Sequence, residues 1–320
     1  MPGPQNPKPK PFFWIPLQGA PQREEPTPHL RFIDLSGRME LEIEVRSDYL
    51  YVGSGQLELQ TIGGREQAYY AFARRGDQLI IPGTSIKGAV RSVVEAISNS
   101  CVKVHARGER VRSSHQACRD EDSLCPACRL FGTTGYRGRV HFVDAVPAGE
   151  IRPEIIRIAD LWPPRQARGR KFYYSKKFRK LDLQPARNHR FLEAVPKGTR
   201  FRTALHFENV SPAEMGLLLH AMGLDRSAQD PGKIVYAFPI KLGGAKPRCL
   251  GSVRFIPRAL WLIQPGSGFL SALMGDWQAP ITENLLAWLS DESLLDPQAW
   301  ERFRREASPR MEEFCPQEVY

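Results

Sequence analysis

Six cysteines stand in the 320-residue chain, and four of them crowd one segment. Cys125-Pro126-Ala127-Cys128 is a C-x-x-C, the spacing that lets two thiolates take adjacent corners of a tetrahedron around a metal ion. Cys118 lies seven residues upstream and Cys101 a further seventeen. Four thiolates would close a structural zinc site, with Cys101, Cys118, Cys125 and Cys128 as ligands. On sequence alone His105 and His115 rival Cys101 for the fourth position. The segment 99–131 shows little hydrophobic periodicity, and a bound metal would explain how it folds. A thioredoxin-like redox role would leave the other two cysteines unexplained. No H-x-E pattern stands nearby to suggest a catalytic zinc. Cys249 and Cys315 are isolated and read as structural or incidental.

The second chemical theme is phosphate. Lysine and arginine number 45 against 35 acidic residues, a net +10. Such an excess points to a polyanionic partner, nucleic acid or a membrane surface. Residues 151–202 hold fifteen basic and four acidic residues, a net +11, so this one segment accounts for the whole excess. Phe172, Tyr173, Tyr174 and Phe178 interleave there with Lys171, Lys176, Lys177 and Arg179. Cations meet phosphates and rings can stack on or wedge between bases.

Two glycine-punctuated stretches add to this. IPGTSIKG opens a helix whose N-terminal N–H groups, with Ser85, Lys87 and Arg91 nearby, suit a phosphate. It lacks the order of a Walker A loop, so nucleotide hydrolysis is not expected. KLGGAKPRCLG, ending at Gly251, lets backbone approach a ligand and supplies Lys246 and Arg248. The seven histidines do not gather with acids and a nucleophile, so no catalytic constellation stands out.

The elements that must position these residues follow from periodicity. RMELEIEV, ending at Val45, alternates as a half-buried strand. A loop and a polar stretch run from Val52 to Asp77, and Gln78–Ile81 reads as a short strand. Thr84–Ser98 is a helix with Ile86, Val90, Val93, Val94 and Ile97 on one stripe. RVHFV (139–143) is a strand, and so is Thr203–Phe207. Ser211-Pro212-Ala213-Glu214 is a capping box that opens a second helix. Ser252–Phe255 is a strand, and Asp296-Pro297 starts a last helix. Strand, helix, strand, insertion, strand, helix, strand is a split βαβ order. The expected class is α+β, a ferredoxin-like (RRM-like) palm. The expected division is an extended proline-rich arm over 1–30, a palm over 31–256 with insertions at 99–131 and 151–202, and a helical extension over 257–320. MPGPQNPKPKP lacks the apolar core of a signal peptide. No apolar run approaches the ~18 residues that span a bilayer. The expectation is a cytoplasmic protein with no membrane partner and no disulfide framework.

Four stretches then resemble one family in order and content: IPGTSIKGAVRSVVEAIS, LCPACRLFGTTGYRGRVHFVDA, LHFENVSPAEMGLLLHAMGL and KLGGAKPRCLGSVRF. They are similar to the CRISPR-associated RAMP superfamily, and most to the repeated backbone subunit of type III-like effector complexes. The resemblance implies a ferredoxin-like palm, a zinc-bound insertion and a basic thumb hairpin within 151–202. It implies that copies stack along a guide CRISPR RNA and that the thumb wedges into the guide–target duplex. Guide contacts would be Ser85, Lys87, Arg91, Arg137, Arg139, Lys246 and Arg248. Partners would be guide CRISPR RNA, target RNA, further copies of the chain, and other effector subunits including a separate nuclease or signalling subunit. Some family members cut bound target with an aspartate after the first strand. Between Val52 and Ile81 this chain offers Glu58, Glu66 and Asp77, and Asp77 lies beside the second strand. A binding scaffold without catalysis is therefore expected. The alternatives are an RNA endonuclease of the same superfamily, cutting target or guide precursor, and a zinc-dependent RNA-binding module outside CRISPR.

Overall fold

The computed structural model describes residues 11–17, 19–102, 111–160, 170–263 and 277–317. Its centre is the strand Leu35–Val45, in which Met39, Leu41, Ile43 and Val45 are buried as the alternation requires. Arg200–Val210 pairs on one side and Ser252–Leu262 on the other, both antiparallel. Val140–Phe142 lies outside the former and Ile240–Lys241 outside the latter. Four of the five expected strands thus join one antiparallel sheet, while Gln78–Leu79 pairs with Arg74–Arg75 apart from it. The last of the four runs through Leu262.

Helix α1 (Gly83–Ile97) buries its stripe of Ile86, Val90, Val93, Val94 and Ile97 in the main core. Gly83 has a steric reason: a Cβ there would stand 2.0 Å from the Phe142 carbonyl oxygen. Helix α2 (Pro126–Phe131) is one short turn-and-a-half after Cys125. Helix α3 (Pro212–Ala221) has the full capping box, with Ser211 Oγ accepting from Glu214 N and Glu214 Oε2 accepting from Ser211 N. Helices α4 (Ile281–Leu289) and α5 (Pro297–Ala307) follow, and Asp296 caps the latter at Ala299 N. Gly216 lets α4 close on α3, since a Cβ would meet the Trp288 carbonyl oxygen at 2.3 Å.

The stretch read as loop and polar connection is a hairpin, Gly53–Ile62 paired with Arg65–Phe72. Its outer strand is exposed along nearly all its length, so the alternation of Leu57 and Leu59 marks no core. The inner strand adds in parallel to His189–Pro196, which pairs antiparallel with Glu154–Ala159. The basic segment therefore supplies two strands of a second sheet. Within the N-terminal arm a short strand is docked. Phe12–Ile15 pairs with Arg170–Tyr173, and Phe13 packs on Phe303 of α5. The C-terminal extension is not all helix either, because Arg310–Phe314 pairs in parallel with Lys176–Lys177. Cys249 and Cys315, isolated in the sequence, form a disulfide across 66 residues. The architecture as a whole is mixed α+β.

Candidate functional site

The four clustered cysteines come together and are buried. Their sulfurs all lie within 4.8 Å of one another, and Cys101 Sγ stands 3.5 Å from Cys128 Sγ. Thiolates around a zinc ion, each at about 2.3 Å, would sit roughly 3.8 Å apart. The backbone N–H of Cys101 donates to Cys125 Sγ at 3.4 Å, and that of Cys125 to Cys118 Sγ at 3.5 Å. Without a cation such thiols cannot all ionise. Contacts with Cys118, Cys125 and Cys128, then burial, push the Cys101 thiol up. Contacts with Cys101, Cys125 and Cys128 hold Cys118 down. Arg91 donates to Cys128 Sγ at 3.5 Å, and contact with Cys118 raises the Arg23 guanidinium. Two guanidiniums beside four thiolates would offset the −2 charge of a divalent tetrathiolate centre. His115 is already engaged, Nδ1 by Ser114 Oγ and Nε2 by the Gly19 carbonyl, both at 3.0 Å. His105 lies outside the described residues. The buried cluster can hold a metal ion with Cys101 as fourth ligand.

The cations expected at phosphates divide by burial. Arg139 is buried, donating to Glu214, to the Asn209 carbonyl and to the Arg129 carbonyl at 3.2 Å. Arg129 Nε meets the same Glu214 at 2.9 Å. Arg248 is fully enclosed, reaching the carbonyls of Ala159 at 3.1 Å, Asp160 at 2.8 Å and Pro316 at 2.7 Å. Arg139 and Arg248, both expected at the guide, thus direct these donors to internal acceptors. Arg91 is likewise committed to Glu95 Oε1 and the Gly132 carbonyl, both at 2.8 Å. Arg137 is exposed and pairs with Glu208 at 2.7 Å. Ser85 and Lys87 are half-buried on the first turns of α1, where Asp144 already accepts from Gly83 N at 2.8 Å.

In the glycine loop, Lys241 donates to the carbonyls of Cys249 and Leu250 at 3.1 and 3.2 Å. Burial, and then the neighbouring Lys246, hold its ammonium down to about 7. Burial also lowers Lys246. These two and Lys171 line a cavity of about 80 Å³ beside α1 and α5. Lys171 Nζ lies 4.0 Å from the centroid of the Phe12 ring.

A larger cavity, about 220 Å³, opens at the end of the central sheet. Arg46, Lys176, Lys197 and Arg254 line it with Tyr236, and among the described residues lining it none is acidic. The Arg254 guanidinium lies 4.5 Å from the centre of the Tyr236 ring. Glu44 partners Arg46 at 3.1 Å and Arg254 at 2.5 Å. Glu313 of the C-terminal strand meets Lys176 at 2.5 Å. Lys177 and Arg179 stand over the Phe314 ring at 5.1 and 5.2 Å. Arg46, Lys197, Tyr236 and Arg254 were not singled out from sequence. Of these, only Lys197 fell in a stretch the sequence marked, the basic segment 151–202.

Comparison with known proteins gives one family. The model for the RAMP superfamily matches residues 42–254. No curated protein matches. Among solved structures, the crystal structure of Thermofilum pendens Csc2 aligns with a TM-score of 0.38 and 13% identity, over 85% of this chain and 86% of that one.

Proposed function

We propose, from the premise that this chain belongs to the RAMP superfamily, that it is a guide CRISPR RNA-binding backbone subunit of a type III-like effector complex, without catalysis of its own. The observation that carries the reading is the 220 Å³ cavity at the end of the central sheet, lined by Arg46, Lys176, Lys197 and Arg254 beside the Tyr236 ring. A phosphate fits the cations, and the ring offers a face to a base. The sheet order supports a ferredoxin-like palm. Val140–Phe142, Arg200–Val210, Leu35–Val45 and Ser252–Leu262 stand in that sequence, with α1 and α3 in the connections. The four-cysteine cluster supports a structural zinc in the 99–131 insertion. In this reading the basic segment 151–202 is the thumb, and Ser85, Lys87, Lys171, Lys177, Arg179 and Lys246 complete the guide path. Pairing with target RNA would read sequence while the protein holds backbone. Further copies would stack along the guide, and a separate nuclease or signalling subunit would do the chemistry.

The test is binding of a guide-length RNA to the purified chain, followed by fluorescence anisotropy across a salt series. Lys197→Ala with Arg254→Ala should weaken binding about tenfold and flatten the dependence of log K on log salt by roughly two contacts. Unchanged affinity and slope would remove the cavity from the RNA path. Cutting of that RNA in magnesium would contradict the scaffold reading.

A further inference from the structure

His220, near the end of α3, is fully enclosed, and neither ring nitrogen has a hydrogen-bond partner. The carbonyls of Leu224 and Leu289 come near the ring without meeting hydrogen-bond geometry. An imidazole carries one donor and one acceptor, and leaving both unmet in the interior is costly. Its Nδ1 lies 3.8 Å from Asp225 Oδ1, too far for a hydrogen bond and near a metal-bridged distance. A carboxylate oxygen of Glu292 completes a group whose ligand atoms lie within 4.8 Å of one another. Glu292 is exposed, so the group has an opening to solvent.

We propose that His220, Asp225 and Glu292 form a second metal site, separate from the cysteines, that binds a borderline divalent cation of the zinc type. One histidine and two carboxylates with a water in the fourth position is a donor set that zinc accepts. Zinc bound to such ligands at about 2.0–2.2 Å would draw them to roughly 3.3–3.5 Å apart, a closure that side-chain rotation of the exposed Glu292 can supply. The surroundings of the site are already set for it. Asp225 Oδ1 accepts from Arg226 N and Oδ2 from Arg304 Nη1, both at 2.8 Å, which fixes the carboxylate. Trp300 of α5 packs edge-on against the imidazole, ring centres 4.9 Å apart. With a metal on Nδ1 the other nitrogen carries the proton and can donate a hydrogen bond to a neighbouring carbonyl once the ring shifts. His220 and Asp225 belong to the palm side and Glu292 to the turn between α4 and α5. The ion would therefore clip the C-terminal helix pair to the body of the protein.

The experiment is equilibrium dialysis of the full chain against buffered zinc, with metal content read by mass spectrometry. Glu292→Gln is the main variant because its side chain is exposed and its loss leaves the core intact. The native chain should hold one zinc more than Glu292→Gln, whatever the cysteines hold. Zinc should also raise the thermal midpoint of the native chain more than that of the variant. Equal zinc content in the two proteins overturns the proposal and leaves His220 and Asp225 as a plain buried pair. Asp225→Asn, with folding checked by circular dichroism, should reproduce the loss of one zinc.

Discussion

At the scale of single residues, what decides a cation's role is the acceptor it finds. Arg139 and Lys197 are equally basic in sequence, yet one is buried on Glu214 and the other faces a cavity. Glu214 comes from 75 residues further along the chain than Arg139, so no local pattern announces the pair. Glu214 serves two buried arginines and also closes the α3 capping box. Removing it leaves the enclosed Arg139 without a carboxylate and Arg129 with only the exposed Glu24, and Glu214→Ala should cost about 3–5 kcal/mol in urea unfolding. Lys241 carries a pH signature. Its folded pKa is near 7 against 10.5 for the exposed group. Between those values the unfolded chain binds more protons, so stability should rise with pH across the window and level off above it. Lys241→Met should flatten that rise in denaturation curves between pH 7 and 10. A phosphate nearby would favour the charged form, so RNA binding should take up protons and weaken from pH 7 to 9.

At the scale of elements, periodicity was informative wherever one face met the core. Leu35–Val45 and α1 lie within a few residues of their sequence-based bounds because their apolar residues are buried at the required spacing, whereas α3, buried from Glu214 to Ala221 without a break, was marked by its capping box. The hairpin Gly53–Phe72 was not legible. Leu57 and Leu59 are 59% and 68% exposed, so their alternation has no burial behind it. The cysteine spacing named three ligands, and only the tertiary approach of Cys101 chose the fourth. If one metal braces this insertion, Cys118→Ser should lose one zinc and make the 99–131 segment sensitive to brief proteolysis. A native cleavage pattern in that variant would mean the segment holds by packing alone.

At the scale of the whole molecule, the two ends of the chain embrace the middle. The N-terminal strand Phe12–Ile15 lies on Arg170–Tyr173, and the C-terminal strand Arg310–Phe314 lies on Lys176–Lys177. Both therefore rest on the basic segment, which sequence alone presented as an insertion in the palm. The glycine loop is held from behind by Arg248, which reaches Ala159, Asp160 and Pro316 together. No helix among the described residues is long and apolar enough to cross a membrane.

The Cys249–Cys315 bond gives the chain a covalent topology that its linear sequence does not have. Everything between those two positions becomes a closed ring, with the glycine loop and the terminal strand as its clasp. A protease that cuts once inside the ring opens it into two branches and frees neither. Such a nicked protein should run as one band without reductant and as two with it, and Cys315→Ser should give two bands in both lanes.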